Sequence, residues 1–248
     1  LVVAASGESD GLLSSTIYAN YNANYGSNTV DLAAPGQRIL TASAGPAING
    51  YETGDGPGWS GALVSGAAAL LLAVDPTLTV DELKAAILGS VDPVPALKGK
   101  VATNGRLNVG RALEYLTNAN APAIVVTASP RGQRTPTNAP IQVSFNRPMN
   151  RAMVETALLI TPPVLGTFEW AADSRSFSFR HDVSFDSATN YTVRILGTAQ
   201  DESGGTLDGN FNRIRDGSST DDFLWTFNLP LPNDDFASAQ TLTGNSGA

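Results

Sequence analysis

A serine hydroxyl at the head of a long apolar helix is the most nucleophile-like feature of this 248-residue sequence. Gly58-Trp59-Ser60-Gly61-Ala62 runs into Val64-Ser65-Gly66-Ala67-Ala68-Ala69-Leu70-Leu71-Leu72. A serine attacks carbonyl carbon only with a base within hydrogen-bond reach. The one histidine, His181, lies far downstream beside Asp182 in a β-like stretch, where a surface role is expected rather than a catalytic one. Ser60 therefore has two readings, nucleophile or helix N-cap, and the second is the expected one.

A second group of chemistry-bearing residues is rich in oxygen. Asp208, Asn210 and Asn212 alternate as calcium-loop ligands do, with Asp216 and Asp221 available to complete a Ca²⁺ site. The residue after Asn212 is Arg213, where an EF-hand needs glycine for its sharp turn, so an EF-hand is excluded. A looser calcium site and a solvated acidic hairpin loop both remain open; no other cofactor is called for.

Composition narrows the function classes. The net charge of −8 argues against nucleic acid as a partner, because phosphate contacts need a basic surface. There is no cysteine, which excludes disulfides and thiolate metal sites without fixing the compartment. Hydrophobic content of 42% and charged content of 15% describe a globular chain with sizeable cores. The apolar stretch Gly61–Val74 is short of the roughly 20 residues a membrane span needs, so a buried core helix and no span are expected. The first residues, LVVAASGESD, lack Met and any signal-peptide pattern, and read as the start of a piece of something longer.

The elements that must position these residues change period along the chain. Ser60–Val74 is apolar nearly all round, as in a helix buried on most sides. Asp75-Pro76 should end it. Thr79 and Glu82 form a capping box for a following amphipathic helix through Leu83, Ala86 and Ile87. Asn108 is an N-cap for a third helix, and Leu1–Ala5 and Val30–Ala33 have the length of buried strands. Beyond a polar junction at 117–123 the period drops to two in Ile141–Phe145, Phe177–Phe179, Tyr191–Ile195 and Phe223–Phe227, which predicts an antiparallel β-sandwich.

The first region resembles the C-terminal half of a subtilisin-like serine peptidase domain over about 100 residues. The likeness runs through Asn24–Gly36, Ile39–Thr41, the Val64–Leu72 helix, Asp75–Leu88, Gly99–Ala102 and Gly105–Val109. Tyr51, Gly56, Trp59 and Val64-Ser65-Gly66 fall on positions that the family fills with the same or similar residues, and the same ungapped alignment puts Gly58 where the nucleophile belongs. Relatives use Asp, His and Ser in chain order; on this resemblance the Asp and His would precede Leu1. The family's oxyanion Asn follows an Ala-Gly pair, and here Ala5-Ser6-Gly7 is followed by Glu8. Loss of one such donor costs about 10²–10³ in rate, a magnitude established on a subtilisin. The link from Glu8 to Tyr25 is also shorter than in the family. Ser60 matches the nucleophile only if two residues are deleted before Val64.

The second region resembles a bacterial immunoglobulin-like domain, on Ser129-Pro130, Thr137–Phe145, Pro148-Met149, Tyr191–Val193, Asp201–Gly205 and Trp225–Phe227. Together these imply a partial subtilisin-like α/β region at 1–118, a linker at 119–123, an all-β immunoglobulin-like sandwich at 124–229, and a linker with the start of a further module at 230–248. The resemblance implies a secreted or cell-surface serine endopeptidase homologue, inactive in this chain. The alternative is a non-enzymatic spacer, adhesion or binding protein with a protein or cell-surface partner, and a distant third is a peptidase using Ser60.

Overall fold

The computed structural model describes residues 1–14, 22–43, 50–117, 121–132 and 134–230. All but Pro230 of the expected linker and further module at 230–248, and residues 118–120 of the junction, lie outside the described residues.

The first region is an α/β unit. Its elements are β1 (Val3–Ser6), β2 (Leu32–Pro35), β3 (Ile39–Ala42), β4 (Tyr51–Gly54), α1 (Pro57–Val74), α2 (Val80–Leu88), β5 (Asp92–Pro93), β6 (Gly105–Arg106) and α3 (Val109–Thr117). The sheet order is β1-β2-β6-β5, with β1, β2 and β6 parallel and β5 antiparallel; β3 and β4 form a separate hairpin. The second apolar strand is thus Leu32–Pro35, displaced from the expected Val30–Ala33. The edge of β1 is partly covered by the loop that follows it. Leu13 N donates to Ala5 O at 2.8 Å, and Leu12 bridges Ser6 in antiparallel fashion.

Local capping sets the helix ends as expected. The Thr79 hydroxyl accepts from Glu82 N while the Glu82 carboxylate accepts from Thr79 N, which closes the capping box of α2. Asn108 Oδ1 accepts from Arg111 N at 2.9 Å and caps α3, and α1 stops at Asp75 before Pro76. The burial of α1 differs from expectation. Only Ser60, Val64, Ala67 and Leu71 are buried, a single stripe against β1 and β2, while Leu63, Leu70, Leu72 and Val74 are exposed. A helix that is apolar all round carries no mark of which face a neighbour covers. α1 is long and apolar enough to cross a membrane, but its buried stripe packs on the parallel strands of this unit. Two of its glycines, Gly61 and Gly66, have no heavy atom within 4 Å of where a β-carbon would stand. Replacing each with alanine should stabilise the chain by about 1 kcal/mol, because glycine costs more backbone entropy in a helix. Calorimetry should show a rise of about 2–4 °C for each.

The second region holds β7 (Val125–Ser129), β8 (Ile141–Phe145), α4 (Arg151–Ala157), β9 (Leu158–Thr161), β10 (Gly166–Trp170), β11 (Ser176–His181), β12 (Asn190–Ile195) and β13 (Phe223–Asn228). Two antiparallel sheets, β10-β11-β8-β7 and β13-β12-β9, make the sandwich. The four alternating segments of the sequence are β8, β11, β12 and β13, and their inward residues Phe145, Phe177, Phe179, Tyr191, Val193, Trp225 and Phe227 are buried. Trp225 buries its ring and donates from Nε1 to Pro130 O at 2.9 Å, so its polar end is satisfied.

The two regions share a core. One cluster of buried residues includes Leu32, Leu71 and Ile87 from the first and Val125, Phe145 and Phe211 from the second. Polar contacts fix the join: Asn146 Nδ2 donates to the Tyr115 hydroxyl at 2.6 Å, and Thr226 N donates to Asn28 Oδ1 at 3.2 Å. Ala121 and Ala123, within the junction, are buried, and Ala123 O accepts from Asp208 N at 2.8 Å.

Candidate functional site

Ligands of open α/β sheets bind beyond the carboxyl ends of the strands, and the N-terminus of α1 opens there. Gly56 turns the chain from β4 into α1 with φ 143°, a conformation that only glycine adopts without strain, and its N–H donates to Gly36 O at 2.7 Å. Gly36 allows the close approach: a β-carbon there would stand 2.5 Å from Ser60 Oγ and 2.6 Å from Ala5 Cβ. The N-cap of α1 is Gly56, not Ser60, and Pro57 occupies the first turn. The helix starts earlier than the reading of Ser60 as cap requires because Pro57 has φ preset for a first helical turn.

Ser60 is fully buried inside the helix. Its hydroxyl lies 2.9 Å from Ala34 O and 3.0 Å from Pro35 O and donates to these carbonyls, tying α1 to the end of β2. Gly58 is exposed in the first turn, with no heavy atom within 4 Å of where its β-carbon would stand. The Trp59 indole occupies the space that a side chain at Gly54 would need. Glu8 follows β1, its N–H donates to Gln37 Oε1 at 2.9 Å, and its carboxylate pairs with Arg38 at 3.4 Å in the open. Arg38 N in turn donates to Asp55 Oδ1 at 2.7 Å. Asp55, buried between β4 and α1, escaped sequence reading because the backbone N–H it accepts from belongs to a residue 17 positions earlier.

No imidazole stands at this place among the described residues. His181 ends β11 in the sandwich, its ring 4.1 Å from that of Phe185, with its nitrogens 2.7 Å from Val183 O and 3.2 Å from Ala139 O. Both nitrogens face backbone carbonyls, one two residues on and one 42 residues earlier, which makes the residue a brace between loops. It is partly covered rather than a plain surface residue.

These features, with a parallel sheet feeding a glycine-bounded helix, are matched by a subtilase-family model over residues 1–125, half of the chain. The chain belongs to the subtilase family. A second model, bacterial Ig-like domain, matches residues 118–228. The subtilase region is 38% identical over 96 residues to the A subunit of subtilase cytotoxin from Escherichia coli, covering 39% of this chain and 27% of that protein. A crystal structure of the A-subunit of the AB5 toxin from E. coli is 32% identical, with a TM-score of 0.41 over 47% of this chain and 37% of the other. A structure describing subtilase cytotoxin SubAB assembly is 30% identical, with a TM-score of 0.37 over 46% and 35% of the two chains. The chain therefore spans only 27–37% of the length of these relatives.

The acidic loop of the sandwich directs its oxygens inward. Asp208, almost fully buried, accepts from Asn212 N at Oδ1 and from Arg213 N at Oδ2, at 3.1 and 2.7 Å. Asn210 Oδ1 also accepts from Asn212 N, Asn212 Oδ1 accepts from Ile214 N, and Asn212 Nδ2 donates to Asp216. Asp221 accepts from Asn210 Nδ2 and from Gly217 N. Asn and Asp spaced by two residues make such turns as readily as they ligate calcium. Among the described residues no group of three or more His, Cys, Asp or Glu side chains could hold a metal. A cation would have to displace these N–H donors, so melting curves in millimolar Ca²⁺ and in EDTA should coincide; a rise with Ca²⁺ that Asp208→Ala removes would establish the site instead.

Burial pushes the Asp208 carboxyl up to about 6, with the nearby Asp221 charge adding to it. Burial also raises Asp221. The Tyr115 hydroxyl at the join is pushed up to about 12 by burial.

Proposed function

We propose that this chain is the non-catalytic part of a secreted or cell-surface subtilase homologue, an α/β scaffold fused through a shared core to an immunoglobulin-like module. The observation that carries this reading is the pairing of Gly58, at the family's nucleophile position, with a Ser60 whose hydroxyl is buried against β2. Glycine offers no atom to form an acyl intermediate. Glu8, where the family places its oxyanion donor, brings a negative charge to a place where negative charge would have to build. The peptide-bond hydrolysis of intact relatives is therefore ancestry here rather than activity.

The role left is binding or spacing. Immunoglobulin-like modules serve as spacers and adhesive elements, and the E. coli cytotoxin relative takes part in an assembly, SubAB. A protein or cell-surface partner suits a non-catalytic scaffold of this kind. Casein hydrolysis and covalent labelling by a fluorophosphonate probe test the reading: neither should occur, and a probe adduct mapped to Ser60 would overturn it.

A further inference from the structure

A cleft of about 280 Å³ at the join of the two regions is lined by Ser27, Lys98 and Asn104 from the first and by Arg131 and Asp222 from the second. Arg131 follows β7 and reaches back toward the α/β unit. Its guanidinium lies 5.3 Å over the Phe223 ring, and its Nε is buried without a hydrogen-bond partner. An arginine cannot shed its proton to escape such a place. A buried charge costs free energy unless it is paired and hydrogen-bonded. Asp31 is the carboxylate acting in its favour, and Asp31 Oδ2 already accepts from Val2 N at 2.7 Å.

Three other residues of the lining, Lys98, Asn104 and Ser27, offer donors, alongside Asn210, Thr220 and Asp222. Lys98 is exposed at its mouth and has no ion pair among the described residues. Asn104 uses its carbonyl to accept from Gly99 N at 2.8 Å, which leaves its NH₂ group as donor. Ser27 adds a hydroxyl. The one carboxylate on the wall is paired: Asp222 Oδ2 lies 2.8 Å from Arg194 Nε, an ion pair without hydrogen-bond alignment, and Oδ1 accepts from Gly197 N and Ser218 Oγ. Two cations, Arg131 with only Asp31 acting in its favour and Lys98 with no ion pair among the described residues, thus line one space with two neutral donors, beside an aspartate paired with its own arginine.

We propose that this cleft binds a small oxyanion, a phosphate or carboxylate group, between the Arg131 guanidinium and the Lys98 ammonium. Arginine beside an amide and a hydroxyl is the donor set that such groups take, through short charge-assisted hydrogen bonds. Because both regions supply donors, the bound anion clamps the join. A ligand that binds only the folded state raises its stability in proportion to the logarithm of its concentration.

The test is titration of the full chain with inorganic phosphate and with citrate, against sodium chloride of equal ionic strength, by calorimetry and thermal melting. Saturable binding of one of them with a rising melting temperature is expected; phosphate binding tighter than citrate assigns a phosphoryl group, and the reverse a carboxylate. Arg131→Gln should weaken binding at least about tenfold, the loss expected for a hydrogen bond to a charged group. Lys98→Gln, at an exposed position, should weaken it about threefold with the fold intact, so the proposal stays testable if Arg131→Gln fails to fold. Phosphate and citrate also stabilise proteins by exclusion from their surface. A rise that is not saturable, or that persists unchanged in both variants, overturns the proposal.

Discussion

Gly58→Ser is expected to fold normally and to remain inert toward casein and fluorophosphonate. The position is exposed in the first turn of α1, and the space for a side chain there is open, so the hydroxyl meets no clash. Among the described residues it also meets no imidazole. His181 is held in the sandwich by the carbonyls of Val183 and Ala139, and the residues around the turn are Glu8, Arg38 and Asp55, each engaged with its neighbours. Members of a triad act as a unit: in a subtilisin, removing the serine or the histidine alone costs about 2 × 10⁶ in kcat, nearly as much as removing all three. A serine restored without its histidine therefore stays at that floor, and the variant should match wild type within assay error. Turnover in Gly58→Ser that is lost again on alkylating histidine would reveal a base at this turn and remove the reason for calling the scaffold non-catalytic.

The second large effect is on stability against pH. Asp208 titrates at about 6 in the folded chain against an ordinary 3.8. Between those values the folded state holds a proton that the unfolded state has lost. Stability from this group is full below about pH 4 and falls as pH rises through about 6, by roughly 3 kcal/mol at 1.36 kcal/mol per pH unit of difference. Asp221, raised by burial, acts in the same direction. Glu82 and Asp201 act oppositely. The Thr79 hydrogen bonds hold Glu82 below its ordinary value, and those from Ser203, Gly205 and Arg147 outweigh burial at Asp201. Their contribution is present at neutral pH and is lost as pH falls below the ordinary carboxylate range. Denaturant unfolding should therefore show maximal stability near pH 4–5. Asp208→Ala removes the acceptor of Arg213 N and one of the two acceptors of Asn212 N and lowers stability overall, so the slope is the readout: it should flatten between about pH 4 and 6. An unchanged slope would place the carboxyl in water rather than in the buried loop.

The pattern of what sequence could and could not reveal follows from the range of the interactions involved. The capping box of Thr79 and Glu82, the stop at Asp75-Pro76 and the cap at Asn108 lie within a turn of their partners, so local sequence alone determined them. Period-two alternation placed β8, β11, β12 and β13 because one face of each strand is buried, and such burial leaves a mark at every second residue. The proposed place of Gly58 at the nucleophile position comes from the sequence alone, since absence of a side chain needs no partner to have its effect. The acidic loop was ambiguous because one spacing serves both cation ligation and turns that accept backbone N–H groups; only the folded loop shows which donors the oxygens meet.

What the tertiary structure alone decided depends on residues distant in sequence. Ser60 donates to carbonyls of β2, some 25 residues earlier, and His181 meets Ala139 O, 42 residues earlier; no local pattern encodes either contact. The one-sided burial of α1 was hidden because every face of that helix is apolar, so its sequence satisfies any neighbour and names none. The junction at 117–123 reads as polar spacer, yet Ala121 and Ala123 are buried because two cores, each marked by its own periodicity, meet there and merge. Sequence determined the elements; packing between distant segments decided which hydroxyl is sealed, which carboxyl is raised by burial and how the two regions become one body.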